Sequence, residues 1–110
     1  MTSSDRKTEK NGAGSRQVKI LLADDHKILR SGLRELLERE ETLKVIAEAE
    51  DGRTAVQLYR ELRPDLTLMD ISMHDLNGIE ATRQIIGHSP EAKIIILSVH
   101  SGQQFVADVF

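Results

Sequence analysis

Three apolar runs in this chain each end on a group that could handle a phosphoryl group or a hard cation. Val18-Lys19-Ile20-Leu21-Leu22-Ala23 runs into Asp24-Asp25, Leu66-Thr67-Leu68-Met69 into Asp70, and Lys93-Ile94-Ile95-Ile96-Leu97 into Ser98. Carboxylates brought close together repel, so either one takes up a proton or a cation joins them. An all-oxygen donor set suits a hard divalent ion, and Mg2+ binds through one or two carboxylates while keeping waters for phosphate oxygens. An ionised Asp beside such an ion can attack phosphorus and form an acyl phosphate. Transfer would then rest mainly on positioning and electrostatics. A hydroxyl such as Ser98 would hydrogen-bond the new phosphoryl group only after modification, and so would draw its segment inward. Taken singly, each group has a plainer reading: the acidic pair as a helix cap, Asp70 and Ser98 as turn or cap residues. The joint pattern, with these groups ending successive strands, is what points to chemistry.

The elements that must position them alternate along the chain. After the first strand, Ile28, Leu29, Leu33, Leu36 and Leu37 recur at helical spacing up to about Glu40-Glu41-Thr42. Val45 to Ala49 reads as a second strand, with Asp51-Gly52 as the turn out of it and Glu48-Ala49-Glu50 on the periphery. Ala55, Val56, Leu58, Tyr59 and Leu62 mark the apolar side of a second helix, which Arg63-Pro64 ends. The Asp70 strand follows, then a turn signal at Asn77-Gly78 and a third helix over 79–87 with Ile79, Ile85 and Ile86 inward. The fourth strand lacks polar alternation and reads as buried on both faces. Phe105, Val106, Val109 and Phe110 are expected to form the apolar side of a fourth helix. This alternation predicts an α/β fold, a doubly wound parallel sheet of the flavodoxin-like type. Ligands of such sheets bind beyond the carboxyl ends of the strands, where the acidic groups and Ser98 fall.

Composition narrows the class. At 110 residues the chain suits one domain with a modest core. A net charge of −3 is no footprint for nucleic acid or an anionic membrane. With no cysteine, disulfides and thiolate metal sites are excluded. No apolar run spans a bilayer and no secretory signal is visible, so a cytoplasmic protein is expected. Residues 1–17 are polar and read as a disordered N-terminal tail, leaving 18–110 as the domain.

The stretches Ile20-Leu21-Leu22-Ala23-Asp24-Asp25-His26, Glu48-Ala49-Glu50-Asp51-Gly52, Pro64 through Met73, Asn77-Gly78-Ile79-Glu80 and Lys93 through Ser98 resemble the receiver domain of two-component response regulators. The resemblance is strongest to the branch that usually carries a LuxR/FixJ-type helix-turn-helix. It implies Asp70 as phosphoacceptor and Asp24 and Asp25 as the acidic pair, with Asp25 a direct Mg2+ ligand and Asp24 acting through water. It further implies the backbone carbonyl of Ser72 as a ligand, Ser98 as the switch hydroxyl, and a sensor histidine kinase as phosphodonor. By this likeness the chain is a self-modifying phosphoacceptor rather than an enzyme acting on a separate substrate.

Two departures stand out. His74 sits where a Pro is usual, which should loosen the loop. His74, His26, His88 and His100 are all read as exposed loop histidines. The chain also stops at Phe110, before the family's fifth strand, its phosphate-binding Lys and its fifth helix. That leaves the fourth strand as an open edge and uncovers the helix-one face of the sheet, and it suggests homo-oligomerisation through strand four or helix four. No helix-turn-helix is present, so direct DNA binding is not expected of this chain, although a longer parent could bind DNA. The alternatives are a non-phosphorylated interaction module and a Mg2+-dependent phosphohydrolase. The latter is disfavoured because Asp70-Ile71-Ser72 lacks a second acid two residues on.

Overall fold

The computed structural model describes residues 16–100 and 103–109, so nearly all of the expected tail lies outside the described residues. Among the described residues there are five strands and three helices. They are β1 (Val18–Ala23), α1 (Lys27–Glu38), β2 (Leu43–Ala49), α2 (Gly52–Leu62), β3 (Leu66–Asp70), α3 (Gly78–His88), β4 (Ile94–His100) and β5 (Gln103–Val109). They form one sheet in the order β2-β1-β3-β4-β5. The first four strands are parallel. The chain leaves β1 for one neighbour, β2, and crosses to the other, β3, so the direction of winding reverses there. This reversal opens a crevice above the ends of β1 and β3.

The two sheet faces have separate cores. Leu21, Ala23, Met69, Ile94 and Ile96 pack with Ala55, Val56 and Tyr59 of α2 and Ala81 and Ile85 of α3. On the other face Ile20, Leu22, Val45 and Leu68 meet Leu33 and Leu37 of α1. Successive residues of the strands therefore alternate between two buried faces, which is why β1 reads as an unbroken apolar run. Both α2 and α3 start on a side-chain cap. Asp51 Oδ1 accepts from the Thr54 amide at 2.7 Å, and Asn77 Oδ1 from the Glu80 amide at 2.9 Å. The two expected turns are thus helix starts.

Several expectations are corrected. The segment expected as a fourth helix is β5, paired antiparallel with β4 from Ile94↔Val109 to His100↔Gln103. Phe and Val suit a pleated ladder as well as a helix face, and β4 without this partner would present a row of unsatisfied backbone groups. A fifth strand therefore exists, with a sense opposite to the rest of the sheet, and no fifth helix is found among the described residues. The open edge at β4, on which oligomerisation through that strand was expected, is closed by β5, and the fourth helix, its other expected route, does not form. The helix-one face does remain thinly covered: Leu33, Leu37, Leu66, Ile95 and Leu97 are only partly buried. Ile28 and Leu36 of α1, Leu62 of α2 and Ile79 of α3 point outward, with Ile28 89% exposed, while Arg30 of α1 is buried. Helical spacing locates a stripe but not its rotation about the axis, and here the buried stripe of α1 is centred on a charged residue.

Two glycines separate local freedom from packing. A Cβ on Gly32 would meet nothing within 4 Å, whereas one on Gly52 would lie 1.9 Å from the Leu76 carbonyl oxygen. Gly32→Ala should stabilise the domain by about 1 kcal/mol through helix propensity. Gly52→Ala should destabilise it by about 1–3 kcal/mol through overpacking against backbone. Urea unfolding of the two variants beside the wild type checks both signs.

Candidate functional site

Backbone contacts fix the acidic pair before any side chain does. The Asp24 amide donates to Ala49 O of β2 at 2.9 Å. Its carbonyl accepts from Arg30 Nη1 at 2.5 Å. Arg30 is held in turn by Glu48, whose Oε1 accepts from Arg30 Nε at 2.7 Å and whose Oε2 accepts from Arg34 Nη1 at 2.5 Å. Glu48, expected on the periphery, is therefore the acceptor for two arginines, and the Arg30 hydrogen bond is the main cause holding its carboxyl below the usual range. Sequence reading missed Arg30. Its signal was a lone arginine inside the apolar stripe of α1.

Asp70 is the last residue of β3, 2% exposed. Its segment is pinned by Ile71 N donating to Leu97 O at 3.0 Å and Gly78 N donating to Ile71 O at 2.9 Å. The start of α3 presses close here, since a Cβ on Gly78 would lie 1.9 Å from the Asp70 carbonyl oxygen. Only glycine permits this approach. The Ser72 amide donates to Asp70 Oδ1 at 3.3 Å. Ser98 is half-buried and follows Leu97, the residue paired with Asp70 in the parallel ladder.

These contacts bring Asp24, Asp25 and Asp70 to one point. One ligand atom from each, together with His26 Nδ1, lies within 4.8 Å of all the others. Asp24 Oδ2, Asp25 Oδ1 and Asp70 Oδ2 are buried without a hydrogen-bond partner. Unpartnered buried carboxylate oxygens are costly, and several on converging carboxylates fit a hard divalent cation such as Mg2+. Burial first, then the Asp24 charge, pushes the Asp70 carboxyl up to about 6 from its ordinary 3.8. At neutral pH it is mainly ionised.

Two histidines, exposed as expected, nonetheless stand at the rim. His26 is exposed, yet its Nδ1 stands 3.1 Å from Asp24 Oδ1, 3.0 Å from Asp25 Oδ1 and 3.8 Å from Asp70 Oδ2. The Asp24 hydrogen bond and then the Asp25 charge raise its pKa. Its position directly after the acidic pair was the available signal. His74 lies on the far side, with Nε2 3.6 Å from Asp25 Oδ2. Its loop is tied down despite lacking the usual proline. His74 bridges to Asp51, and Arg53 Nε and Nη2 grip Asp75 at 2.8 and 3.3 Å, with Asp75 at φ 68.

A strand-end acidic crevice at the winding reversal of a four-stranded parallel sheet is the architecture of a receiver, and the sequence comparison agrees. The model of the response regulator receiver domain matches residues 20–110, and the chain belongs to this family. It is 40% identical over 93 residues to the transcriptional regulatory protein DegU of Brevibacillus brevis, covering 84% of this chain and 39% of that one. It is 41% identical over 92 residues to the response regulator UvrY of Escherichia coli (strain K12), covering 84% and 42%. Among solved structures, a LuxR-family two-component response regulator from Aurantimonas sp. SI85-9A1 superposes with TM-score 0.74 at 44% identity, covering 77% of this chain and 61% of that one. The response regulator domain of Thermotoga maritima CheB gives 0.73 at 36%, covering 76% and 61%. The chain spans about two-fifths of the length of the curated relatives it matches.

The Asp70 shift carries a stability consequence. Because the folded pKa of about 6 lies above the ordinary 3.8, the folded state binds this proton more tightly than the unfolded one. Its contribution is fully present below about pH 4 and is lost as pH rises through 6. In metal-free buffer Asp70→Asn should therefore be more stable than wild type at neutral pH, by up to about 3 kcal/mol, and the gap should close toward pH 4. Chemical denaturation across that range measures it.

Proposed function

We propose that residues 18–110 form a phosphoaccepting receiver of a two-component signalling system, with Asp70 taking the phosphoryl group. The observation that carries this reading is the convergence of the Asp24, Asp25 and Asp70 carboxylates, each with a buried oxygen that has no hydrogen-bond partner. Asp25, Asp70 and the backbone carbonyl of Ser72 would hold Mg2+ directly, with Asp24 acting through water. When bound, the ion supplies charge shielding for the incoming phosphoryl group and for the carboxylates around it. An Asp70 carboxylate oxygen attacks phosphorus, the new O–P bond forms as the donor's bond to phosphorus breaks, and the leaving group takes up a proton. Burial of Asp70 keeps bulk water from competing for the same oxygen. The pinned backbone of Ile71 and Gly78 holds the nucleophile in place during attack.

Ser98, one residue past the ladder partner of Asp70, is the proposed switch. Its hydroxyl would donate to an oxygen of the new phosphoryl group and draw the end of β4 inward. The donor would be a sensor histidine kinase, consistent with the naming of relatives as response regulators. A longer parent of this chain would be a cytoplasmic DNA-binding transcriptional regulator, a reading supported by relatives named as transcriptional regulators. Among the described residues no helix is long and apolar enough to cross a membrane.

Incubation with acetyl phosphate and Mg2+ tests the assignment by intact mass. Wild type should acquire a single hydroxylamine-labile phosphoryl adduct, Asp70→Asn none, and chelation of Mg2+ should abolish the adduct. Ser98→Ala should still be modified but lose the modification-dependent amide shifts at the end of β4. Absence of any adduct on the wild type would favour an interaction module that keeps only the fold. Continued turnover of phosphate esters would favour a hydrolase.

A further inference from the structure

We propose that His26 is an additional metal ligand, making this site selective for divalent ions that accept imidazole nitrogen, such as Co2+ or Zn2+, over Mg2+. The inference rests on the divalent-cation reading of the acidic rim and adds a donor of different chemistry to it. His26 occupies the N-cap position of α1 with extended backbone (φ −96, ψ 102), yet its side chain makes no cap hydrogen bond. Caps favour short oxygen-bearing side chains, and histidine is a poor one. The backbone is instead anchored at both ends. The His26 amide donates to Asp24 Oδ1 at 2.7 Å, and its carbonyl accepts the first helical hydrogen bond from Arg30 N at 2.8 Å. So held, the ring turns back over the rim, and Nδ1 stands 3.0 Å from Asp25 Oδ1 and 3.8 Å from Asp70 Oδ2. Those are separations that ligand atoms sharing one ion at about 2.0–2.2 Å take up.

A second observation points to an ion at the same place. The fully buried Asp24 leaves Oδ2 without a partner, and Asp70, 2% exposed, leaves Oδ2 without one, although the imidazole is close by. The ring hydrogen-bonds the other Asp24 oxygen, Oδ1, at 3.1 Å and leaves these two unsatisfied, so on ligation Nδ1 would exchange that hydrogen bond for the ion. Carboxylates and water alone select hard ions, whereas an imidazole nitrogen raises affinity for first-row transition ions. His74 is the natural control. It is 90% exposed, its Nε2 is 3.6 Å from Asp25 Oδ2, and it is not part of the four-residue cluster.

Calorimetric titration of the whole chain with CoCl2 and, separately, MgCl2 tests this. Wild type should prefer Co2+, and His26→Ala and His26→Gln should each lower the Co2+-over-Mg2+ preference by about tenfold, with His74→Ala leaving it in place. On the wild type, long-range proton–nitrogen NMR should show the His26 Nδ1 resonance moved by diamagnetic Zn2+ and not by Mg2+. An unchanged preference in both His26 variants would overturn the proposal while Mg2+ binding and the Asp70 adduct stand. Equal tightening of both ions would also overturn it, marking the ring as a competing cation. Failure of wild type to bind either ion would remove the signalling reading along with it.

Discussion

Mutual repulsion among Asp24, Asp25 and Asp70 is the constraint the rest of this structure has to hold in check. Three carboxylates at one rim oppose folding, and the Asp70 pKa is raised by its burial first and by the Asp24 charge second. The rim does not relax because its backbone is held independently of its charges. Asp24 is gripped through its amide and its carbonyl, and Asp70 through the residue after it and through the close approach of Gly78. Energy stored in this way is released when a cation arrives, so a destabilising feature of the isolated fold becomes binding energy for a ligand.

The placement of the arginines preserves that charge. Arg30 is buried within hydrogen-bond reach of Asp24, but it meets the carbonyl and not the carboxylate. Glu48 accepts from Arg30 Nε and from Arg34 Nη1. Had either arginine turned to the rim, an internal ion pair would have neutralised the site and removed its appetite for metal. The basic side chains that approach the rim carboxylates among the described residues are the imidazoles of His26 and His74.

The frame around the rim is asymmetric. α2 and α3 share one apolar core over β1, β3 and β4, while α1 alone covers part of the opposite face. β5 closes the β4 edge in antiparallel sense. It lies against the strand that carries Ser98, so any inward pull at the end of β4 would be transmitted along that ladder.

The amino-acid order alone determined the strand–helix alternation, the parallel sheet and the two strand ends that carry Asp24-Asp25 and Asp70, because apolar run length and helical spacing are local properties; it placed Ser98 at a strand end, whereas β4 runs on to His100 and Ser98 pairs with Phe105 inside it. It did not determine how α1 turns about its axis, and so hid that Arg30 faces inward and Ile28 outward. It misled on 103–109, which was expected as part of a helix and pairs as a strand, since Phe and Val serve either conformation and only an unfilled edge on β4 decides between them. His26 shows the same limit at the site. A histidine beside two aspartates is unremarkable in one dimension, and its meaning appears only when β3 delivers Asp70 from 44 residues further along the chain to within 3.8 Å of its ring. Proximity across the sheet is a product of strand order, and strand order is settled by the packing of both faces together.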